Sequence, residues 1–441
     1  MRAVILAGGR GERLRPITDH IPKPLVRILG KPLLEYQIDS LRRSGIYDIV
    51  LVVGYMASLI KEHFGDGSRY GVKIKYFVET VPLGTAGALA ELRDELPETF
   101  LIIYGDLMLD IDFQRLISYH KSHCGICTIV VHPNDHPADS DIIVANRDGM
   151  VTEILPKGRP RKGDFPNCVS AGVTMCSLSV TMPLRLGRPQ DLETHILAPA
   201  IKNKRAYAYF TPEYIKDMGT PQRLTEVTRS VASGSVTRRN LRLPQKAIFL
   251  DRDGTINEHV GFLIHPSQLN ITDDIYEAIR CINRSDYLAI VISNQSVVAR
   301  NLCTMKELEN INWRLETMLG NRGVFINLIY YCPHHEDAGF LGENRQYKVQ
   351  CDCRKPKIGM IEAATRSYRI DIAASYMIGD TTVDLQTGKN AGLATVLLAT
   401  GEAGRDGKYD AHPDFQASTL LDAVKMILSR DPEDQQHGWG E

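Results

Sequence analysis

Short apolar runs alternate with amphipathic stretches along most of the chain. AVILAG, DIVLVVG, TFLIIYGD and CTIVVHP are brief and rich in β-branched side chains, whereas PLLEYQIDSLRRSG repeats its apolar residues at helical spacing. The first kind predicts buried strands and the second predicts surface helices, so the first half reads as βαβ units of a parallel sheet. The rhythm lapses over VASGSVTRRNLRLPQK, where small, polar and basic residues and Pro244 predict a linker. It restarts at Ala247 with KAIFLD, YLAIVISN, INLIYYC, ASYMIGD and LATVLLA. The expectation is an α/β protein of two Rossmann-like domains, residues 1–235 and 247–430, joined by a linker at 236–246.

Length supports the partition, since 441 residues exceed one ordinary core. A hydrophobic fraction of 43% and a charged fraction of 24% are those of a globular protein. The net charge of -1 offers no whole-protein attraction for nucleic acid or an anionic membrane, so an anionic ligand must be held locally. No run approaches the roughly 20 apolar residues of a membrane span, and MRAVILAGGRG lacks a secretory apolar core. A soluble cytoplasmic protein is expected. Nine cysteines, an odd number, suit a reducing compartment better than a disulfide framework.

The first candidate chemistry is LAGGRGERLRPITDHIPKPLV. Gly8, Gly9 and Gly11 let backbone amides approach a polyphosphate, and Arg10, Arg13 and Arg15 add positive charge beside them. The spacing matches neither a P-loop nor a dinucleotide fingerprint. Together with ETVPLGTAGAL, LIIYGD and KDMGTP, in that order, the loop resembles the sugar-1-phosphate nucleotidyltransferases over roughly residues 1–230. The resemblance implies that Arg13 and the loop amides hold a nucleoside triphosphate and that Lys23 reaches the reacting phosphate. It places Leu83, Gly84 and Thr85 at the base and ribose, and Asp106 and Asp217 on a catalytic magnesium. In-line attack by a sugar 1-phosphate needs no covalent enzyme intermediate, so positioning and charge neutralisation dominate. NCVSAGVTM resembles the family's sugar-binding turn and implies Ser170 and Gly172 near the sugar; Lys157 joins them, although proline stands where many relatives have glutamate. Glu193 reads as a helix-surface residue with the sugar as its other possible neighbour.

The second start, AIFLDRDGTINEHVGF, runs a strand into two aspartates. With YLAIVISNQS, CRKPKIGM and YMIGDTTVD it resembles the haloacid dehalogenase superfamily of phosphatases. The resemblance implies Asp251 as nucleophile and Asp253 as general acid and base. Ser293, Asn294, Arg354 and Lys355 then bind the phosphoryl group, Asp251, Asp253 and Asp380 hold magnesium, and Asp384 supports them. Carboxylates this close call for a cation on electrostatic grounds as well.

YYCPHHEDAGFLGENRQYKVQCDCRKP contains Cys332-x-His334 and Cys351-x-Cys353. Three thiolates and an imidazole suit a closed tetrahedral zinc site of structural kind. Cys124-x-x-Cys127 has no second pair nearby and reads as buried apolar cysteines. A CxH…CxCRKP loop resembles both the D-glycero-D-manno-heptose 1,7-bisphosphate phosphatases and the histidinol phosphate phosphatases. The long interval and SNQSVVAR, similar to the heptose group's TNQSGIARG apart from Val297 and Asn301, favour the former. Both halves then imply one route to a nucleotide-activated heptose. The expected partners are heptose phosphates and a nucleoside triphosphate, with GTP favoured by likeness to the guanylyltransferase branch, although PLGTAGAL does not itself distinguish the base. Neither nucleic acid nor a membrane is expected as a partner. A mannose- or glucose-1-phosphate transferase fused to another phosphatase, and a nucleotide-sensing first domain without catalysis, stay open.

Overall fold

The computed structural model describes residues 1–337, 339 and 341–431. Its contacts divide these into two compact units, one of residues 1–132, 143–156 and 169–242, the other of residues 133–142, 157–168 and 243 onward. Among the described residues no helix is long and apolar enough to cross a membrane.

The first unit is built on a nine-stranded sheet in which Arg2–Leu6 lies between Asp48–Val53 and Thr99–Tyr104, parallel to both. Val169–Ser177 extends it antiparallel to Thr99–Tyr104. Arg2–Leu6 is buried on both faces, which is why it reads as a continuous apolar run. Ile5, Leu51, Ile103 and Val173 meet the buried face of helix Leu33–Arg43 in one core.

The second unit carries six parallel strands, in spatial order Leu328–Cys332, Tyr287–Asn294, Lys246–Leu250, Tyr376–Gly379, Ala394–Leu398 and Phe415–Ala417. Numbered along the chain this is 3-2-1-4-5-6, a Rossmann-like order whose crevice opens at the C-terminal ends flanking the first strand. Asp251 follows that strand and Asp380 follows its neighbour. Helix Met305–Asn321, capped by a Thr304/Glu307 capping box, packs beneath the sheet. The segments 133–142 and 157–168 also pack in this unit, with Phe165 and Thr317 exchanging backbone-to-hydroxyl hydrogen bonds at 3.0 and 3.1 Å.

The stretch expected as a linker is ordered and anchored. Ser235–Arg238 is helical, Asn240 Nδ2 donates to Asp110 Oδ1 at 2.8 Å, Leu241 is buried, and Lys246 opens a strand. Asn240, at least, is polar because it bonds a buried carboxylate, Asp110 being 4% exposed.

Candidate active sites

In the first unit the glycine loop follows Arg2–Leu6 at the C-terminal end of the strand, between the ends of its two parallel neighbours. A side chain at Gly8 would lie 2.6 Å from Glu79 Oε2, and Gly9 has open space before it. Gly11 caps the short turn Glu12–Leu14, which carries Arg13 exposed. Arg13 Nη2 reaches the turn after Asp217, 3.0 Å from where a Gly219 Cβ would stand.

The two distant aspartates come together through a ladder. Asp217 stands opposite Leu107 in the antiparallel pairing of Tyr214–Asp217 with Leu107–Asp110, and the Met218 amide donates to the Asp106 carbonyl at 3.0 Å. Lys23 is buried and donates to Asp106 Oδ2 at 2.7 Å. Arg223 holds both oxygens of Asp217 at 2.7 and 2.8 Å. Burial opposes the charge on Asp217, but Arg223 and Lys23 outweigh it and hold its carboxyl below the usual range. Two carboxylates carried by neighbouring backbone positions suit a magnesium ion that takes its remaining ligands from water and phosphate. Sequence reasoning missed Arg223; its signal is its place one turn into the helix whose N-cap is Thr220, three residues after Asp217.

Leu83, Gly84 and Thr85 form the entry to helix Gly84–Glu91. Gly84 has φ +73° and a Cβ there would sit 2.5 Å from the Gln190 carbonyl, so only glycine fits. Thr85 Oγ1 accepts from the Leu192 amide at 2.7 Å. Glu79 Oε1 accepts from the Leu83 amide at 3.0 Å, while burial raises the Glu79 carboxyl above its ordinary range. Ser170 and Gly172 lie on strand Val169–Ser177 beside a register shift. Lys157 is exposed, with its amide on Asp141 Oδ1 at 2.8 Å and its ammonium 3.9 Å from Asp141 Oδ2. It begins the segment 157–168, which is grouped with the second unit.

In the second unit the expected residues converge. Lys355 Nζ donates to Asp251 Oδ1 at 2.7 Å and to Asp384 Oδ1 at 2.6 Å, all three buried. Burial works against the ammonium, yet the two carboxylates raise its pKa. Burial lifts the Asp251 carboxyl to about 7 against Lys355, with Asp384, Asp380 and Asp253 adding to the rise. Burial likewise lifts Asp380 to about 6. Carboxylate oxygens of Asp251, Asp380 and Asp384 lie within 4.8 Å of one another, and Asp380 Oδ1 is buried without a hydrogen-bond partner. An orphaned oxygen among crowded acids fits a hard divalent cation such as magnesium.

Asp253 is gripped differently. Arg252, 1% exposed, donates to its two oxygens at 3.0 and 2.9 Å, Gln295 donates at 2.7 Å and Asn257 at 3.1 Å. Despite burial these donors hold its carboxyl below the usual range, so in this state it is ionised. Ser293 Oγ accepts from Gln295 at 2.8 Å. Asn294 exchanges hydrogen bonds with the Lys355 backbone at 3.1 and 3.0 Å, so it orients the lysine segment. Arg252 and Gln295 were also missed; each alternates along an extended segment with an expected residue, which pattern alone leaves without a role.

Cys332, His334, Cys351 and Cys353 form the second cluster. Their sulfur and Nδ1 atoms stand 3.1 to 3.7 Å apart in the described pairs. Zinc bonds of about 2.3 Å to sulfur and 2.0 Å to nitrogen imply tetrahedral edges of about 3.8 Å between sulfurs and about 3.5 Å between sulfur and nitrogen; the sulfur–nitrogen pairs match, the sulfur pairs need to open by a few tenths of an ångström, and the four residues fit that ion. Hydrogen bonding from Cys332 lowers the Cys353 thiol to about 5, a thiolate ready for a metal. The cluster is tied to the active site at both ends. Cys332 pairs in register with Asn294, and Arg354 donates to the His334 carbonyl at 3.0 Å beside Lys355. Of the other pair, Cys127 is buried at a strand start 3.9 Å from Cys176, whereas Cys124 is exposed in the preceding turn, contrary to the expectation of burial. The turn belongs to the helix-to-strand connection and cannot reach the core.

A nucleotidyl transferase family model matches residues 2–234, and a HAD-hydrolase-like model matches residues 352–423, which include Lys355, Asp380 and Asp384. A probable mannose-1-phosphate guanylyltransferase 2 of Oryza sativa subsp. japonica is 34% identical over 228 residues, 50% of this chain and 62% of that protein. The chain thus spans less than two thirds of that relative's length. HddC from Yersinia pseudotuberculosis, solved complexed with GMP-PN, is 26% identical, covering 52% of this chain and 99% of its own at a TM-score of 0.44. The D,D-heptose 1,7-bisphosphate phosphatase from B. bronchiseptica, solved with magnesium and phosphate, is 29% identical, covering 42% of this chain and 100% of its own at a TM-score of 0.37. With more than half of its residues matched by one family model, the chain belongs to the nucleotidyl transferase family and carries a HAD-hydrolase-like region in its C-terminal part.

Proposed function

We propose that the chain is a bifunctional enzyme of nucleotide-sugar synthesis. Its second unit removes the 7-phosphate of D-glycero-D-manno-heptose 1,7-bisphosphate, and its first transfers GMP from GTP to the heptose 1-phosphate with release of pyrophosphate. The observation that carries this is the Cys332/His334/Cys351/Cys353 cluster joined to Asn294 and Lys355 of the phosphatase site. With its long interval and SNQSVVAR, that loop favours a heptose bisphosphate, whose dephosphorylation yields the sugar 1-phosphate that a transferase consumes. Guanine is supported by the guanylyltransferase relatives.

In the phosphatase unit Asp251 attacks phosphorus and an aspartyl phosphate forms; the 7-oxygen leaves with a proton that Asp253, ionised in the free site, takes up as the phosphate monoester binds and then passes on. Ionised Asp253 then takes a proton from the water that hydrolyses it. Lys355 balances the charge on Asp251, and a bound magnesium ion would neutralise the phosphoryl oxygens. In the transferase unit Lys23 and Arg13 neutralise the triphosphate while the sugar phosphate oxygen displaces pyrophosphate from the α-phosphorus. Asp106 and Asp217 would hold magnesium there.

The mannose-1-phosphate guanylyltransferase relatives favour a second reading, in which the transferase takes mannose 1-phosphate. One experiment separates the two. The purified chain is incubated with magnesium, four nucleoside triphosphates and either the heptose bisphosphate or mannose 1-phosphate, and products are identified by mass spectrometry. GDP-heptose from the first mixture is expected. GDP-mannose alone, with the bisphosphate untouched, would replace the heptose reading by the second.

A further inference from the structure

Glu193 was read as a helix-surface residue, but the chain around it is not an ordinary helix. Residues Glu193–Leu197 form a π-helical turn, a geometry that recurs at functional sites. That turn is docked on the nucleotide side through Leu192 to Thr85 at 2.7 Å and through Ala86 and Gln190 to the Gln190 and Leu83 carbonyls, both at 2.8 Å. Its carboxylate reaches the other way. Tyr104 Oη donates to Glu193 Oε1 at 2.9 Å, and among the described residues no protein donor reaches Glu193 Oε2.

Tyr104 ends the strand that delivers Asp106, and Gln37 Nε2 fixes the intervening turn by donating to the Tyr104 and Leu107 carbonyls at 3.0 and 2.7 Å. Its ring lies against Gly172, where a Cβ would stand 3.1 Å from Tyr104 Cδ2 at φ +71°. The Tyr104–Glu193 pair therefore bridges three parts of the site: the carboxylate end at Asp106, the sugar-side strand at Gly172 and the nucleotide segment at Thr85.

We propose that Glu193, oriented by Tyr104, reads the ring hydroxyls of the sugar 1-phosphate, with Glu193 Oε2 accepting from a hydroxyl and the Tyr104 ring packing against the pyranose beside Gly172. This rests on the transferase reading above. A carboxylate only accepts, and sugar hydroxyls donate, so a half-buried carboxylate oxygen beside the reacting phosphate selects a polyol over an apolar ligand.

The test uses the full chain, GTP and a panel of sugar 1-phosphates including mannose 1-phosphate and the heptose 1-phosphate. Glu193→Gln keeps an acceptor for Tyr104 and removes the charge. It should raise KM for the sugar by ~10- to 100-fold, the loss of one hydrogen bond to a charged group, with KM for GTP within about twofold. Tyr104→Phe keeps the ring, releases the carboxylate, and should raise the same KM about threefold to tenfold. An unchanged sugar KM in Glu193→Gln, or an equal rise in both KM values, overturns the proposal while the transferase reading stands. Absence of transfer by the unaltered chain with every sugar overturns that reading and the proposal with it.

Discussion

Lys355 Nζ lies 2.7 Å from Asp251 Oδ1 in a fully enclosed setting, and the same ammonium satisfies Asp384 at 2.6 Å. One cation thus answers two buried carboxylates. Replacing it with methionine removes the cation from both, leaving Asp384 only its hydrogen bonds from Thr381, and breaking a buried pair costs about 3–5 kcal/mol. Lys355→Met should therefore abolish phosphate release and lower the denaturant midpoint of the second unit. A variant that retains its midpoint would show that the acids had taken up protons or water at little cost.

The two sites use separate residues, and their chemistry should separate in the same preparation. Asp251→Asn removes the nucleophile and should eliminate phosphate release, leaving nucleotidyl transfer to a supplied sugar 1-phosphate unaffected. Asp106→Asn should do the reverse, lowering transfer by ~100-fold or more through loss of a charge acting on the developing phosphates. Product assays on both variants check this, and an Asp106→Asn variant that transfers at the original rate would remove Asp106 from the catalytic machinery, whereas absence of transfer by the unaltered chain would support a nucleotide-sensing role for that unit.

Zinc should be found at one ion per chain by elemental analysis. Because Cys332 pairs with Asn294 and Arg354 bonds the His334 carbonyl, the ion's removal should disturb Lys355 as well as the loop. Cys353→Ser or a strong chelator is expected to lower thermal stability and phosphate release together, with nucleotidyl transfer retained. Metal-free protein with full phosphatase activity would contradict the positioning role.

Much of this was legible because both units solve one problem in the same way. A strand buried on both faces must be a contiguous apolar run, and its C-terminal end beside diverging neighbours must carry the ligand, so Gly8, Asp106, Asp251 and Asp380 announce themselves at the ends of such runs. What escaped were the partners that come from far along the chain or point by alternation. Arg252 sits between two readable aspartates, and nothing in DRDG tells that its guanidinium turns inward onto Asp253 and Asn312. Arg223 and Tyr104 take their meaning only from the ladder and the glycine they pack against.

Glu213 provides a pH test in the first unit, just before the strand Tyr214–Asp217. It is 2% exposed; Oε1 accepts from the Asp112 and Leu241 amides at 2.7 and 2.9 Å, and Oε2 accepts from Thr211 at 2.8 Å. Burial nevertheless raises its carboxyl to about 7, from about 4.3 in an unfolded chain. Between these values the folded form holds the proton and the unfolded form does not. Stability from this group is therefore fully present below about pH 4.3, falls as pH rises to about 7, and is lost above it, by up to about 4 kcal/mol in all. Glu213→Gln keeps an oxygen for the two amides and turns an NH2 toward Thr211, whose hydroxyl can accept. The variant should match the unaltered chain near pH 4.5 and exceed it by about 2–3 kcal/mol at pH 8, measured by denaturant unfolding of the first unit's transition. A constant difference across that range would mean that Glu213 is charged in the folded state, its three donors outweighing burial.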